Sequence, residues 1–129
     1  DMVINIGAVK DREWDIVADE IRQVARKVED AGAILKVIVE TALLTRQELE
    51  QVCYIARDEG ADYIKTSTGF STRGVSLEDV RLIKGFVGDD IKIKASGGIR
   101  DYRFALQLIE AGANRLGASN ARNLLKDSI

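Results

Sequence analysis

The stretch Ala61-Asp62-Tyr63-Ile64-Lys65-Thr66-Ser67-Thr68-Gly69-Phe70 begins as a β-strand and ends as a small polar turn. Tyr63 and Ile64 favour a strand, and Gly69 can adopt the positive φ that a turn requires. Because side chains alternate across a strand, Tyr63 and Lys65 are predicted to share one face, opposite Ile64. Lys65 is therefore the last side chain of a mostly apolar strand and faces inward just before a loop.

A lysine at the end of a buried strand must find a partner, reach water or lose its proton. The ordinary interpretation is that the ammonium group of Lys65 extends along the strand end into water. The functional interpretation is a nucleophile, because an amine with a lowered pKa can attack a carbonyl carbon and form a Schiff base.

Helix and strand patterns alternate on both sides of this stretch, with a period of roughly 30 residues that is typical of βαβ units. Besides the strand of Lys65, the patterns predict strands at 1–7, 34–39, 91–94 and 114–117, and helices at 14–28, 45–59, 76–86, 101–110 and 119–126. Three similar segments end a helix and begin a strand: Ala31-Gly32-Ala33, Glu59-Gly60-Ala61 and Ala111-Gly112-Ala113. No Asn-Gly or Asp-Gly hairpin signal occurs, so the sequence predicts an α/β fold with a parallel sheet.

The composition is that of a soluble globular protein, with 129 residues, 46% hydrophobic and 31% charged. It predicts a single domain over residues 1–129, because no low-complexity linker interrupts the pattern. The net charge of −2 provides no basic field, so we expect neither a nucleic acid nor a membrane as partner. Cys53 is the single cysteine and is predicted to be a core thiol in a reducing, cytoplasmic compartment. The absence of histidine disfavours a zinc site, and we expect no metal.

Two short motifs carry a resemblance to a known family. Lys65-Thr66-Ser67-Thr68-Gly69-Phe70 resembles the Schiff-base segment of deoxyribose-phosphate aldolase, and Lys94-Ala95-Ser96-Gly97-Gly98-Ile99-Arg100 resembles the same family's second lysine and glycine pair. The motifs occur in the family's order, and the resemblance extends along nearly the whole chain from Asp1. It implies a TIM (β/α)8-barrel fold, of which this chain resembles the C-terminal part, strands four to eight.

About five βα units are too few to close an eight-stranded barrel. The chain also begins at Asp1 inside a predicted strand, and we expect a fragment of a barrel. Three outcomes stay open: another chain supplies the remaining strands, the strands are absent and leave an open parallel sheet, or they lie in a part of the protein outside this sequence. Open sheet edges and exposed apolar surface favour association, so a homo-oligomer is expected.

Strand alternation places further polar residues on the predicted inward face with Lys65, namely Lys94, Lys36, Glu40, Asp1 and Asn5. Charges at equal depth on neighbouring strands are costly unless they are paired or functional. Like-charged Lys65 and Lys94 on adjacent strands are expected to lower one another's pKa. The alternative is a structural ion-pair network among Lys36, Glu40, Lys94 and Asp1.

The resemblance implies roles for these residues. Lys65 would form the carbinolamine and Schiff base, Lys94 would keep that amine deprotonated, Asp1 would move protons through water, and Lys36 would support the site. The implied reaction interconverts 2-deoxy-D-ribose 5-phosphate with glyceraldehyde 3-phosphate and acetaldehyde. It requires no metal or organic cofactor, because the imine serves as the electron sink. Two rivals remain, an inactive barrel fragment that at most binds phosphate and another Schiff-base aldolase on a similar barrel.

Two turns are candidates for binding phosphate. Gly97-Gly98 and Gly117-Ala118-Ser119 each follow a predicted strand and precede a helix, where backbone N–H groups and the helix dipole attract anions. The residues predicted to bind substrate or phosphate are Thr68, Gly69, Gly97, Gly98, Gly117, Ser119 and Asn120.

The sequence departs from the family pattern at two places near these turns. The family more often has a serine at the position of Asn120, and the loop 71–74 replaces a glycine-richer run. Within that loop, Arg73 is expected to be solvated, with a contact to the substrate phosphate as the alternative.

Overall fold

The computed structural model describes residues 1–128, which fold into five β-strands and six α-helices joined by short loops. None of these helices is long and apolar enough to cross a membrane. The elements are, in chain order, β1 (Met2–Val3), α1 (Ile6–Lys10), α2 (Trp14–Asp30), β2 (Lys36–Ile38), a 3-10 turn (Thr41–Leu43), α3 (Arg46–Asp58), β3 (Tyr63–Lys65), α4 (Leu77–Val87), β4 (Lys92–Ser96), α5 (Tyr102–Ala111), β5 (Arg115–Gly117) and α6 (Ala121–Lys126).

The five strands form one parallel sheet in the order β1-β2-β3-β4-β5. Each strand lies beside its predecessor in the chain, and a helix-containing connection joins each pair. This unidirectional winding is the one that builds a (β/α) barrel, rather than the doubly wound sheet in which the strand order reverses. The predicted parallel α/β fold with five βα units is therefore confirmed.

The three similar glycine segments fold in the same way. At each segment the helix ends, the glycine adopts a positive φ, and the residue after it donates its N–H to the carbonyl five residues earlier. The glycines are Gly32, Gly60 and Gly112, and the bonds are Ala33 N–Val28 O, Ala61 N–Ala56 O and Ala113 N–Leu108 O, each 3.0 Å long. The internal repeat seen in the sequence is thus a repeat of one chain reversal.

The two faces of the sheet differ in chemistry because side chains alternate along each strand. One face packs on the helices and is buried and apolar, with Leu35, Val37, Val39, Ile64, Ile93 and Ala95. The opposite face, here called the charged face, carries Lys36, Lys65, Lys92, Lys94 and Arg115. Packing of the apolar face stabilises the fold and presents the basic side chains on the other side.

The prediction of a strand over residues 1–7 is wrong beyond Val3. Asn5 instead caps α1, and its side-chain oxygen accepts a hydrogen bond from the N–H of Ala8 at 3.0 Å. Asparagine competes well for helix N-cap positions, and here this local bond ends the strand. Asn5 consequently does not extend the charged face, and its amide nitrogen donates to Glu20 at 3.2 Å.

The helix starts follow the sequence signals closely. Thr45 and Glu48 form the predicted capping box of α3, and Ser76 with Asp79 forms an equivalent box at α4. Asp101 caps α5 by accepting from the N–H of Phe104 at 2.8 Å. These short polar contacts fix where each helix begins after its strand.

Asp79 does more than cap α4, because its buried carboxylate also binds two other segments. It accepts hydrogen bonds from the two terminal guanidinium nitrogens of Arg73, at 2.7 and 3.1 Å, and from the hydroxyl of Thr41 at 2.9 Å. The expectation that Arg73 is simply solvated is therefore wrong. Burial alone would raise the pKa of Asp79, but the hydrogen bonds from Arg73, Ser76 and Thr41 outweigh it and hold the pKa below its ordinary value.

We expect Asp79→Asn to lower the free energy of unfolding at pH 7 by about 2 kcal/mol, the order of magnitude for charged hydrogen bonds. Because the pKa of Asp79 is lower in the folded protein, its stabilisation is present above the ordinary value of 3.8 and is lost as the pH falls through the folded-state pKa. Urea denaturation at several pH values measures this, and the gap between the two proteins should narrow below pH 3.8. Asp58→Asn, which removes an exposed carboxylate, is the control and should change stability little. A gap that stays constant with pH would contradict the assignment.

Candidate functional site

Lys65 and Lys94 lie directly opposite each other on the adjacent strands β3 and β4. The carboxylate of Asp1 binds two lysines of the charged face, accepting from Lys36 Nζ at 2.9 Å and from Lys65 Nζ at 2.8 Å. Both lysine side chains are mostly buried, with exposed fractions of 18% for Lys36 and 17% for Lys65. Asp1 therefore joins the first three strands of the sheet on the charged face.

This arrangement tests the alternative of a structural ion-pair network among Lys36, Glu40, Lys94 and Asp1. The pair of Asp1 and Lys36 exists, but it includes Lys65, which the alternative left out. Within residues 1–128, neither Lys94 nor Glu40 takes part in an ion pair. Lys94 is thus a partly buried ammonium group with cations as its neighbours and no carboxylate in contact.

The environment of Lys94 lowers its pKa. Burial is the largest cause, followed by repulsion from Lys65, Lys36 and Arg115, the last of which lies opposite Lys94 on β5. Each of these effects disfavours the charged form of an amine. The prediction that Lys65 lowers the pKa of Lys94 is confirmed, although burial is the larger cause.

Glu40 holds the turn that follows Lys65. Its side chain is buried, and its carboxylate accepts from the N–H of Thr68 at 3.2 Å and from the hydroxyl of Thr68 at 2.6 Å. Glu40 adopts a left-handed backbone conformation with φ of 55°, which costs a non-glycine residue on the order of 1 kcal/mol. Because both donors of Thr68 bind Glu40, Thr68 forms the wall of the site with no donor left for a ligand.

A cluster of buried hydroxyl groups follows both lysines, formed by Thr66, Ser67 and Ser96 and here called the hydroxyl cluster. The N–H of Ser96 donates to Thr66 Oγ1 at 3.0 Å, and Ser96 Oγ donates to the carbonyl of Ser67 at 2.6 Å. These bonds join the last residue of β4 to the two residues that follow β3, and so fix the turn after Lys65 against β4. Sequence reasoning missed this role, although small hydroxyl residues directly after Lys65 and one position further after Lys94 were the available signal.

One cavity of about 400 Å³ collects most of the predicted site. Its lining includes Lys65, Thr68, Gly69, Lys94, Gly97, Gly98, Gly117 and Ser119, all named from the sequence. It also includes Phe70, Ser96, Ile99, Arg100 and Ala118, to which the sequence analysis gave no role. Asp1 and Lys36 do not line the cavity, but Asp1 binds the lining residue Lys65.

The glycine turns of the cavity contain backbone N–H groups that have no acceptor among the described residues. Gly97 and Gly98 have positive φ values of 89° and 75°. Within residues 1–128, the N–H groups of Gly98 and Ser119 donate no hydrogen bond to the protein. Unpaired N–H groups near a cation can attract oxyanions, and Arg100 lines the same cavity.

Asn120 lies outside the cavity lining. It is the N-cap of α6, and its side-chain oxygen accepts from the N–H of Asn123 at 3.2 Å. Its predicted contact with phosphate therefore stays a prediction.

The loop after β3 packs tightly against the Gly97 turn. Val75 N donates to the carbonyl of Gly97 at 3.1 Å, and a Cβ added to Gly74 would lie 2.0 Å from that oxygen. Only glycine permits this approach of the two backbones. Gly74 and Gly97 therefore hold the two motif loops together around the cavity.

Comparison with curated proteins identifies close relatives along the whole chain. Deoxyribose-phosphate aldolase of Clostridium tetani is 52% identical over 128 residues, which are 99% of this chain and 59% of that protein. The enzyme of the same name from Macrococcus caseolyticus is 54% identical over 127 residues, covering 98% of this chain and 56% of the relative. This chain therefore spans little more than half the length of these relatives. None of the protein-family models matches it.

Solved structures agree with this relationship. The structure described as "QR15, an Aldolase" is 45% identical in sequence and superposes with a TM-score of 0.90. The superposition covers 98% of this chain and 56% of that chain. A tetrameric deoxyribose phosphate aldolase from Aeropyrum pernix is 32% identical with a TM-score of 0.83, over 89% of this chain and 50% of its own. The predicted fold class, α/β of the TIM-barrel family with about five βα units, is confirmed.

We expect the pKa of Lys94, measured by NMR titration of its side-chain Cε resonance, to lie below the ordinary value of 10.5. Lys65→Met should move it back upward, because one of the repelling cations is removed. Lys27→Met, a change on the distant helix α2, is the control and should leave the Lys94 titration in place. A Lys94 pKa that is insensitive to Lys65 would contradict the described coupling.

Proposed function

Because this chain is homologous to the deoxyribose-phosphate aldolases over nearly its whole length, we propose that its site catalyses a class I aldolase reaction. The proposed reaction cleaves 2-deoxy-D-ribose 5-phosphate into glyceraldehyde 3-phosphate and acetaldehyde. The observation that carries the proposal is the placement of Lys65 and Lys94 opposite each other in one cavity, with the Asp1 carboxylate on Lys65.

In the proposed mechanism, Lys65 is the nucleophile. Its neutral amine adds to the aldehyde carbon of the open-chain sugar, and loss of water from the carbinolamine gives an imine. The protonated imine at C1 accepts the electron pair of the C2–C3 bond as that bond breaks. The 3-hydroxyl loses its proton, and C3 becomes the aldehyde carbon of the first product. The resulting enamine takes a proton on carbon, and hydrolysis of the imine releases acetaldehyde and restores Lys65.

Lys94 and Asp1 have the proton-transfer roles. The lowered pKa of Lys94 increases the fraction of its neutral form, which can accept the proton of the Lys65 ammonium group. The Asp1 carboxylate lies 2.8 Å from Lys65 Nζ, within reach of a carbinolamine hydroxyl directly or through one water. Lys36 binds the other oxygen of Asp1 and thereby orients the carboxylate, which supports its proposed supporting role.

The phosphate group is assigned to the turns at the far side of the cavity. The unpaired N–H groups of Gly98 and Ser119 and the guanidinium of Arg100 supply donors of the right kind for a phosphate oxygen. Gly69, Gly97 and Gly117 shape the wall that approaches the ligand. The cavity of about 400 Å³ fits a small phosphorylated sugar, and we propose that ligand as the partner rather than a nucleic acid or a membrane surface.

We also propose that the protein acts as a homo-oligomer in the cytoplasm. The edge strands β1 and β5 and exposed apolar residues such as Leu125 support association, and the similar Aeropyrum pernix aldolase is described as a tetramer. The buried free thiol of Cys53 suits a reducing compartment. The rival function, a folded unit without catalysis, is supported by the same two open edges.

Reductive trapping tests the aldolase site directly. Acetaldehyde and borohydride at neutral pH should place a reduced two-carbon adduct on Lys65, located by mass spectrometry of peptides. Lys65→Ala should abolish this adduct, and Lys94→Met should slow its formation by about a hundredfold or more, the usual contribution of a proton-transfer group.

The control for trapping is Lys27→Ala, which removes an exposed lysine of α2 and should leave the adduct unchanged. Circular dichroism of each variant excludes loss of fold as the cause. Absence of any adduct on Lys65, or an even spread of label over surface lysines, would reject catalysis by this chain and favour the rival function.

Phosphate binding has its own test. Inorganic phosphate should shift the amide NMR resonances of Gly98 and Ser119, and Arg100→Gln should weaken this binding about tenfold, as expected for loss of one charged hydrogen bond. Arg81→Gln on the outer helix α4 is the matched control and should leave the affinity unchanged. Resonance shifts confined to other residues would contradict the proposal that phosphate binds at Gly98 and Ser119.

A further inference from the structure

Phe70 is the most exposed large apolar side chain among residues 1–128, with 96% of its surface accessible, and it lines the cavity that contains Lys65 and Lys94. We infer that Phe70 is a specificity-determining residue whose ring covers the apolar chain of a carbonyl compound bound at Lys65. This inference rests on the proposed Schiff-base chemistry and extends it to the choice of aldehyde.

The backbone around Phe70 is held on both sides. Before it, Thr68 binds the buried Glu40 carboxylate, and the N–H of Phe70 donates to Thr68 Oγ1 at 3.1 Å. After it, Arg73 binds the buried Asp79. Phe70 is therefore held at the cavity by a loop whose two ends are fixed, and its backbone position does not depend on packing of the ring.

The chemistry of the remaining lining defines what the ring can contact. The cavity wall otherwise consists of lysine, arginine, serine, threonine, alanine and glycine, and its other large apolar residue, Ile99, is already buried. Polar groups of a ligand have partners elsewhere in the cavity, whereas methylene groups would find apolar surface at Phe70. Burial of such groups against an aromatic ring is favourable, and an exposed ring gains most from it.

A series of straight-chain aldehydes tests this contact without requiring turnover. Acetaldehyde, propanal, butanal and pentanal are each trapped on Lys65 with cyanoborohydride. The Lys65 nitrogen bonds to the aldehyde carbon, water leaves to give the imine, and hydride from cyanoborohydride reduces it to a secondary amine. Rates are read from the Lys65 peptide by mass spectrometry and divided by the rates for Nα-acetyl-lysine, which removes the intrinsic reactivity of each aldehyde.

The unmodified protein should gain about two- to fourfold in normalised rate per added methylene, the range expected for partial to full burial of that group. Phe70→Ala should flatten this dependence to nearly onefold, whereas Phe70→Leu should keep most of it because it restores apolar surface. Ile109→Ala, which shortens a half-exposed apolar side chain on the outer face of α5, is the matched control and should leave the slope unchanged.

The outcomes separate this inference from the proposed function. If no aldehyde labels Lys65 in any variant, the Schiff-base function itself is overturned. If Lys65 is labelled but Phe70→Ala and the unmodified protein show equal slopes, the function stands and the role of Phe70 is overturned. Equal slopes together with a changed molecular mass in Phe70→Ala would identify the ring as a contact between protein chains, which also overturns the inference.

Discussion

The parallel hydrogen-bond ladder between β3 and β4 is the constraint on which the site depends. It places two lysines side by side on the face of the sheet that carries no apolar core, and it fixes their separation by backbone geometry rather than by side-chain choice. Repulsion between the crowded cations destabilises the sheet, and burial of aliphatic residues on the apolar face offsets it. The reactive groups are thus held close together largely by packing on the other side of the strands.

Two buried carboxylates, Glu40 and Asp79, organise the loop around the cavity. Neither is a ligand-facing group, and each satisfies donors on a loop that would otherwise be free to move. The left-handed backbone of Glu40 is compensated by its carboxylate, which accepts two hydrogen bonds from Thr68 at 3.2 and 2.6 Å. The site is therefore positioned by acidic residues although the cavity itself is lined by basic ones.

Much of the fold followed from the sequence because its signals are local. Capping boxes, helix-ending glycines and strand alternation depend on residues a few positions apart, and most of them were found where the patterns predicted. The errors have the same physical origin: at Asn5 a side-chain cap competed with a strand, and at Arg73 the partner came from a helix six residues away. The two motifs predicted most of the residues that line the cavity. The hydrogen bond that Thr68 donates to Glu40 joins residues 28 positions apart, so no local sequence pattern indicates it.

The three chain reversals at Gly32, Gly60 and Gly112 share one hydrogen-bond geometry, and this has a consequence for engineering. The βα unit between Gly32 and Gly60 both enters and leaves the sheet through this chain reversal, so the path of the chain at its two ends has the same backbone geometry. This unit is a natural cassette. Its exchange with the corresponding unit of a homologue, cut at the two glycines, preserves both reversals and brings in a different loop after β2, the loop that contains Glu40.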